Sequence, residues 1–378
     1  MSTIAVEPGV PENSTSVEVP GRCVAHLDAD AFYVSVELNR RPELRGLPVV
    51  VSGSGPRAVV TTASYEARRF GVGSAMPASR ARRLCPQAMF LPPDFPHYRM
   101  VSRHMMGIVR SHVEHVEVVG LDEAYLDLTG LFSPRAAMRR MLADIEEATR
   151  LVCSVGIGPN KLVAKVASDA EKPAGFVVLT REQACERFAS SPPGLVPGIG
   201  PKTASKLEAM GLRTLGELAR APEQLLVERF GPNHGRDLRR RARFEHEGAV
   251  SEERKVVSES RERTFDYDIH DPARLREALL KMADELCKSL AAHDNHGRTI
   301  GIKIRLDDFS TVTRARTLPE PTCDPAEVSR VALALLEQYS PPRPVRLLGV
   351  RVAGLVRRGA PEMRSTAKAP ANQLELPV

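Results

Sequence analysis

The chain has 378 residues and a net charge of +6, from 53 Lys and Arg against 47 Asp and Glu, which permits an anionic partner without requiring one. Its hydrophobic content of 42% excludes wholesale disorder, and no apolar run is long enough for a membrane span. The first residues lack a signal-peptide pattern, and the six cysteines show no metal-ligand spacing. These features predict a cytoplasmic protein with reduced thiols and two to four domains.

The first half of the chain predicts a mixed α+β fold. Residues 1–21 have no apolar periodicity and predict a disordered arm. The segment CVAHLDADAF then predicts a short strand that ends near Asp28, followed by a helix. Two β-branched runs predict neighbouring strands, and Ser64 is the predicted N-cap of the helix that follows them. Two strand-like segments on either side of Gly120 alternate apolar and acidic residues.

The second half divides into further units. Glycine and proline interrupt short helical segments over residues 188–248, which predicts a small helical module. A polar, charged stretch at 249–260 is typical of a linker. Strand and helix patterns over 261–356 predict a second α+β unit, and 357–378 return to the composition of a flexible tail.

Three acidic residues stand at or near predicted strands: Asp28, and about 95 residues later Asp122 and Glu123. Carboxylates that converge from neighbouring strands form an oxygen-rich site suited to Mg²⁺. Two such ions can activate a hydroxyl group and stabilise a leaving group. On spacing alone, solvated acids in turns remain an equally good interpretation.

Four longer segments then occur in a characteristic order: HLDADAFYVSVE, TTASYEARRFGVGSAMP, GLDEAYLDLTG and VGIGPNKLVAKVASDAEKPAG. Together they closely resemble the DinB branch of the Y-family DNA polymerases, over residues 22–355. The resemblance implies a multidomain right-hand polymerase with a helical thumb and an α+β little finger. It places the palm at 22–31 and 98–187, the fingers at 32–97, the thumb at 188–248 and the little finger at 261–356.

The resemblance also implies an activity. The chain would add dNTPs to a primer 3′-end on a DNA template, release pyrophosphate, tolerate lesions and lack proofreading. Asp28 and Asp122 would bridge two Mg²⁺ ions, Glu123 would be the third carboxylate, and the backbone carbonyl of Ala29 would complete one metal shell. Gly120 departs from the family, which usually has serine there, and we expect a local packing difference without loss of chemistry.

For the incoming nucleotide, the resemblance makes Tyr33 the steric gate that excludes a ribose 2′-hydroxyl. Tyr65 and Arg68 are three residues apart, which places both on one helix face. Thr62 and Lys172 match family positions at the triphosphate. The backbone amides near Ala31 and Phe32 would also bind phosphate, where the chain turns into its next helix. Without the surrounding motifs, a packed aromatic ring and solvated surface cations would be the simpler interpretations.

DNA contacts are predicted in two places. The segment PGIGPKTASKLEAMGLRTLGELA has the form of a helix–hairpin–helix, in which Gly198, Gly200 and Lys202 would face backbone phosphates, although plain helical hairpins use similar turns. In the little finger, we expect contacts from Ser310, Thr311 and Arg314. A group of arginines is either a solvated helix face or a further phosphate contact: Arg236, Arg239, Arg240, Arg241 and Arg243. The low aromatic content of 4% favours binding to the backbone of duplex DNA over stacking on single-stranded bases.

The chain ends in QLELPV, where Gln373, Leu374 and Leu376 resemble the peptide that docks such polymerases on a sliding clamp. We expect a nucleoid-associated monomer with primer–template DNA, dNTP and the clamp as its partners.

Three other functions compete with this prediction: an inactive adaptor of the same family, another two-metal enzyme on a similar palm, such as a nucleotidyl cyclase, and a pure DNA-binding module. The retained carboxylates argue against the first and third, and the helix–hairpin–helix with the clamp-like tail argues against the second.

Overall fold

The structure is a computed structural model that describes residues 21–253 and 256–357. These residues form two compact units. The first contains 21–54 and 58–253, and the second contains 55–57 and 256–357. No helix within the described ranges is long and apolar enough to cross a membrane.

The first unit begins with strands and helices that alternate along the chain. Its elements up to the helical module are β1 (Val24–Ala29), α1 (Phe32–Arg40), β2 (Val49–Ser52), β3 (Val60–Ala63), α2 (Tyr65–Arg68), α3 (Ala78–Leu84), β4 (Met89–Leu91), α4 (Phe95–His112), β5 (Val116–Val118), β6 (Glu123–Asp127), α5 (Pro134–Thr149), β7 (Cys153–Gly158), α6 (Lys161–Ala170), β8 (Phe176–Val178) and α7 (Arg181–Arg187).

The main sheet of this unit has the strand order β5-β6-β1-β7-β8, and β1 pairs antiparallel with both β6 and β7. One face carries apolar side chains such as Ala25 and Leu27, which pack with the methionines of α4 and α5. The opposite face carries His26 and Asp28 because strand side chains alternate. Helix α6 lies against this second face of β1 and β7. The polar residues of β1 are therefore held between a sheet and a helix.

Gly156 on β7 allows α6 to approach the sheet closely. A Cβ atom at this position would lie 2.1 Å from the Ala164 carbonyl oxygen and 2.3 Å from the Ser168 amide nitrogen. Gly156 is also the register partner of His26 on β1. The missing side chain thus brings Ser168 directly over the imidazole of His26.

A smaller sheet with the strand order β3-β2-β4 lies within the predicted fingers region, residues 32–97. Strand β2 runs antiparallel to β3 and parallel to β4. The Ser64 hydroxyl accepts a hydrogen bond from the Ala67 amide at 3.2 Å, which confirms the predicted N-cap of α2.

The predicted helical module contains α8 (Pro201–Ala209), α9 (Leu215–Arg220), α10 (Glu223–Phe230) and α11 (Pro232–Ala242). The turn before α8 requires glycine, because Gly198 has φ +90°. Arg241 braces this turn: its Nη1 donates to the Pro197 carbonyl at 2.6 Å and its Nε donates to Asp237 at 2.6 Å.

The neighbouring arginines also find partners inside the module. Arg236 and Arg239 both pair with Glu223, and Arg240 pairs with Glu247. The Nε of Arg243 donates to the Ala219 carbonyl at 3.0 Å. Each arginine of the predicted group therefore has a partner inside its own domain.

The second unit contains β9 (Ser258–Ile269), α12 (Pro272–Ala292), β10 (Asn295–Leu306), β11 (Thr311–Thr322), α13 (Pro325–Tyr339) and β12 (Val345–Arg357). Its antiparallel sheet has the order β11-β10-β12-β9. Both helices pack on one face around Ile300, Ile302 and Ile304. The other face is open within this unit.

Strand β9 begins at Ser258, inside the stretch 249–260 that the sequence predicted to be a linker. The prediction ends the linker too late, because Ser258 and Glu259 already pair with Ala353 and Val352 of β12. Their polar composition conceals the strand, since one of its faces is exposed.

Candidate active site

A cavity of about 170 Å³ opens in the first unit where β1 passes into α1. Nine residues predicted to bind metal or nucleotide line it: Asp28, Ala29, Phe32, Tyr33, Thr62, Tyr65, Arg68, Asp122 and Lys172. Ala31, Thr61 and Ser74 complete the lining. The amides near Ala31 were expected to bind phosphate, whereas Thr61 and Ser74 were not predicted. Glu123 is not among the lining residues. It faces Lys165 beside the cavity.

The register of the sheet brings the three carboxylates together. Asp28 at the end of β1 pairs with Glu123 at the start of β6. The Asp122 carbonyl accepts a hydrogen bond from the Ala29 amide at 2.8 Å, which fixes the chain just before β6. Burial, together with the charges of Asp28 and Glu123, raises the pKa of Asp122. Such crowded, partly desolvated carboxylates are suited to bind divalent cations.

The donor set fits a metal ion. Ligand atoms of His26, Asp28 and Glu123 lie within 4.8 Å of one another, and the Asp122 carboxylate faces the same group. Carboxylate oxygens dominate the set, which favours a hard cation such as Mg²⁺ or Mn²⁺. His26 was not predicted. The available signal was its position two residues before Asp28, on the same strand face.

Two lysines neutralise this acidic group. Lys165 Nζ lies 3.0 Å from Asp28 Oδ2 and 3.1 Å from Glu123 Oε2, whereas Lys172 Nζ lies 2.6 Å from Asp28 Oδ1. Asp169 pairs with both lysines, at 3.4 Å and 2.8 Å. Burial acts to lower the pKa of each lysine, but Asp28 and Asp169 outweigh it and raise the pKa. Both side chains therefore carry a charge at the site.

Glu123 is held in its ionised form. The contact between its Oε2 and His26 Nε2, at 3.3 Å, and the nearby Lys165 lower the pKa of Glu123 to about 2, against the opposing effect of burial. Lys165 was not predicted from the sequence, although it shares a helical face with Lys161 and Asp169.

Asp30 organises the side of the cavity where Tyr65 lies, and it was also missed. Its buried carboxylate accepts hydrogen bonds from the Ser154 hydroxyl at 2.9 Å and from the Ala174 amide at 2.8 Å. It also accepts from the Tyr65 hydroxyl at 3.1 Å. Burial and the charge of Asp30 raise the pKa of Tyr65, so this hydroxyl remains a donor.

Tyr65 and Arg68 share one face of α2, as the spacing predicted. The Arg68 guanidinium carbon lies 4.6 Å from the centroid of the Tyr65 ring, and its Nε donates to the Ala63 carbonyl at 3.0 Å. The stacked pair presents the remaining guanidinium donors to the cavity.

Tyr33 forms one wall of the cavity and is oriented by an aromatic cluster. Its ring centroid lies 4.8 Å from that of Tyr98 and 5.9 Å from that of Phe95. Ala31, the N-cap residue of α1, adopts a left-handed conformation and provides no side-chain cap. The first amides of α1 thus point to the same region, where an anion would satisfy them.

Gly120 lies close to two of the three carboxylates. A Cβ atom there would be 3.1 Å from Asp122 Oδ1 and 3.5 Å from Glu123 Cγ. A serine would therefore require the Asp122 carboxylate to shift slightly, which agrees with the expected difference in local packing.

The predicted DNA-contacting residues lie in both units. In the first, Gly198 and Gly200 frame the turn before α8, and exposed Lys202 lies in the first turn of that helix. In the second, Ser310 stands in the turn before β11, where its hydroxyl donates to Asp308 at 2.6 Å. Thr311 pairs with Arg305 on the open face of the sheet.

Arg314 lies on the other face of that sheet. It pairs with the buried Ile302, and its guanidinium carbon lies 5.4 Å from the Tyr339 ring at the end of α13. The side chain therefore follows the helix-covered face, away from the face where Thr311 stands. The open face instead carries Lys303, Arg305 and Arg351.

The amino-acid sequence matches models of known families over most of its length. Residues 27–169 match the impB/mucB/samB family, and 256–365 match the C-terminal domain of that family. Residues 194–243 match a thumb domain named for DNA polymerase-iota. A DNA polymerase IV of Methanoculleus marisnigri is 42% identical over 88% of this chain and 94% of its own length. The chain belongs to the DinB branch of the Y-family DNA polymerases.

Further relatives agree with this Y-family membership. A DNA polymerase IV of Streptomyces coelicolor is 44% identical over 88% of this chain and 71% of its own length. A solved structure described as "Y-family DNA polymerase chimera Dbh-Dpo4(243-245)-Dbh" superposes with a TM-score of 0.78 at 26% identity, covering 89% of this chain and all of the other. An insertion ternary complex of Dbh DNA polymerase gives a TM-score of 0.63. The predicted family and fold class are confirmed.

Proposed function

We propose that this chain is a translesion DNA polymerase that adds dNTPs to a primer 3′-end by two-metal phosphoryl transfer, with release of pyrophosphate and without proofreading. The observation that supports it most is the convergence of Asp28, Asp122 and Glu123 beside a cavity lined by Tyr33, Arg68 and other nucleotide-site residues. Such an arrangement combines a site for cations with a site for an anionic substrate.

Asp28, Asp122 and Glu123, with the Ala29 carbonyl, would hold two Mg²⁺ ions. When bound, such ions supply an activated 3′-hydroxyl and neutralise charge on the phosphates. The chain itself positions the reactants. Because phosphoryl transfer asks little covalent chemistry of the protein, this positioning and the surrounding charges account for most of its contribution.

The triphosphate would lie along the cationic side of the cavity. Arg68 offers a planar fork of donors, Lys172 a mobile ammonium group and Tyr65 a hydroxyl group. Thr62 and the amides at Phe32 extend the same polar surface. Asp30 fixes Tyr65 in place and binds the Ala174 amide, close in sequence to Lys172.

Tyr33 would check the sugar of the incoming nucleotide. Its ring is wedged against Tyr98 and Phe95, so it has little freedom to move away from a ribose 2′-hydroxyl. A steric gate of this kind needs a rigid wall, and the aromatic cluster provides one.

DNA would be bound through its backbone. The hairpin with Gly198, Gly200 and Lys202 offers amides and an ammonium group in the first unit. Ser310, Thr311 and the cations of the open face offer contacts in the second. We propose the predicted limits for palm, fingers, thumb and little finger, with the little finger extended to begin at Ser258.

The predicted clamp-binding residues Gln373, Leu374 and Leu376 lie outside the described residues. They remain a proposal, together with the monomeric state and a location at the nucleoid. Deleting residues 373–378 should abolish stimulation of DNA synthesis by a sliding clamp while leaving synthesis without the clamp unchanged. Equal stimulation of both forms would disprove the clamp site, and size-exclusion chromatography with light scattering would test the monomer.

The proposed activity is tested by primer extension with purified full-length chain. Asp28→Asn keeps the size of the side chain but removes its charge, and it should lower the rate by about 10³-fold or more, a loss of several kcal/mol of transition-state stabilisation. Asp144→Asn makes the same change on α5, where Asp144 pairs with His112, and it should leave the rate unchanged. An Asp28→Asn protein with a wild-type rate would refute the proposal and favour the alternative of an inactive adaptor whose carboxylates do no chemistry.

A further inference from the structure

His26 is a buried titratable residue that the mechanism above does not use. It lies on β1 with 0% of its surface exposed, on the same strand face as Asp28. Gly156 stands opposite it on β7, and the close approach of α6 at this glycine brings Ser168 to the imidazole. The ring thus lies between a serine on the helix and a carboxylate on the sheet.

The two ring nitrogens have different surroundings. Nδ1 lies 2.8 Å from the Ser168 hydroxyl oxygen, which itself lies 2.8 Å from the Lys165 carbonyl oxygen. Nε2 faces Glu123 Oε2 at 3.3 Å. Within the described residues, Nε2 is a buried polar atom without an aligned hydrogen bond. The 3.3 Å separation is short enough for Nε2 to donate to Glu123 once the two groups are aligned.

The surroundings also select the tautomer. A neutral imidazole has a single N–H, so one of its nitrogens donates a hydrogen bond and the other accepts one. If the proton were on Nδ1, the lone pair of Nε2 would face the ionised carboxylate of Glu123, which is repulsive. With the proton on Nε2, that nitrogen donates to Glu123, and the Ser168 hydroxyl donates to Nδ1. The Ser168 hydroxyl has one hydrogen, so it cannot also donate to the Lys165 carbonyl. That carbonyl lies inside α6, where a backbone N–H of the helix donates to it instead.

We propose that His26, held by Ser168, is a positioning residue that orients Glu123 so that the carboxylate presents its free oxygen to the divalent cation shared with Asp28. This inference rests on the proposed metal-binding role of Glu123. Groups that hydrogen-bond to a metal-ligating side chain set its orientation, and their loss typically weakens metal binding by about 10–100-fold.

Three substitutions at position 26 separate positioning from packing. In His26→Gln the side-chain amide can reach the place of Nε2 and donate to Glu123. In His26→Asn it reaches only the place of Nδ1, beside Ser168. His26→Phe keeps the ring without either nitrogen. The probe is Mn²⁺ alone, titrated into the full-length chain, with free Mn²⁺ measured by electron paramagnetic resonance.

The apparent Kd for Mn²⁺ should stay within about threefold of wild type in His26→Gln and should rise by about 10–100-fold in His26→Asn and His26→Phe. Wild-type affinity in His26→Asn, or equal losses in the Gln and Asn variants, would overturn the proposal. If His26→Asn does not fold, Ser168→Ala decides the question. A Kd for Mn²⁺ that rises by about threefold or more supports the proposal that Ser168 holds His26 in place, and an unchanged Kd overturns it.

Glu123→Gln separates this inference from the proposed function. Wild type should bind Mn²⁺ more tightly than Glu123→Gln. If the two proteins bind Mn²⁺ equally, the metal-binding role of Glu123 is wrong, whatever the His26 variants do. If they differ while His26→Asn and Ser168→Ala match wild type, only the role of His26 is wrong.

Discussion

The main sheet of the first unit and the sheet of the second unit differ in how their polar residues are arranged. Around β1, carboxylates, lysines and His26 converge within a few ångströms beneath α6 and bind one another. On the open face of the second sheet, Lys303, Arg305 and Arg351 are spread along neighbouring strands. Phosphoryl transfer needs charges fixed at one point, whereas binding a DNA backbone needs charge distributed over a surface.

The largest expected difference between the two regions follows from changing an aspartate to asparagine in each. Asp30→Asn places an NH₂ group among donors from Ser154, Ala174 and Tyr65, so the pocket loses its organising acceptor. We expect kcat/KM for dNTP to fall by about 10²-fold in steady-state primer extension. Asp308→Asn alters an exposed turn at Ser310 and should change kcat/KM by less than about twofold. Similar losses in both variants would remove the contrast.

Glycine-to-alanine changes compare the packing of the two sheets. Gly156→Ala forces a Cβ atom to within 2.1 Å of the Ala164 carbonyl oxygen. It should lower the free energy of unfolding of the first unit by about 3 kcal/mol or more in urea titrations. The Cβ atom of Gly301→Ala would lie 3.2 Å from the Arg314 carbonyl oxygen, and we expect a loss below about 1 kcal/mol. Equal losses of unfolding free energy in the two variants would contradict the close packing of α6 on the main sheet of the first unit.

Tyrosine substitutions test whether an aromatic ring acts through its position. Tyr33→Ala removes the wall braced by Tyr98, and incorporation of ribonucleotides relative to deoxynucleotides should rise by about 10-fold or more. Tyr267→Ala removes a tyrosine that is 80% exposed in the second unit and should leave sugar selectivity unchanged. Single-nucleotide insertion assays with paired rNTP and dNTP measure the ratio of ribonucleotide to deoxynucleotide incorporation. An unchanged ratio in Tyr33→Ala would refute the role of Tyr33 as a steric gate.

The smallest effects are expected on the open face of the second sheet. The double variant Lys303→Ala and Arg351→Ala should weaken primer–template binding a few-fold and reduce the slope of log K against log salt by about 1–2. Arg314→Ala, on the helix-covered face, should leave the slope unchanged. Fluorescence anisotropy at several salt concentrations gives both values. A larger change in slope for Arg314→Ala would support the prediction that Arg314 contacts DNA.

Much of the fold could be predicted because its signals are local. Alternation, helical spacing and the Ser64 cap are properties of a few consecutive residues, and the structure confirms the elements that they predict. The spacing of Tyr65 and Arg68 is local as well, and the pair stacks as expected. The limits of β9 were harder to predict, because its polar residues become a strand only through pairing with β12.

The missed residues depend on contacts between distant parts of the chain. Asp30 gains its role from Ser154 and Ala174, more than 120 residues away. His26 depends on Ser168 in the same way, through the register of β1 with β7 and the approach of α6. Arg314 shows the limit in another form: its face depends on the register of β11, which the turn at Ser310 sets.

The contacts of Asp30 also have a consequence for the order in which the protein forms. Its three donors come from β7, from the turn before β8 and from α2. The Tyr65 side of the cavity is therefore complete only when the chain up to Gly175 has been synthesised and has returned to β1. Closing such long loops costs entropy and is slow compared with helix formation. A nascent chain that ends before β7 can pair β1 with β6 and bring the three carboxylates together, but it lacks Ser154 and Ala174 and cannot complete the hydrogen bonds of Asp30.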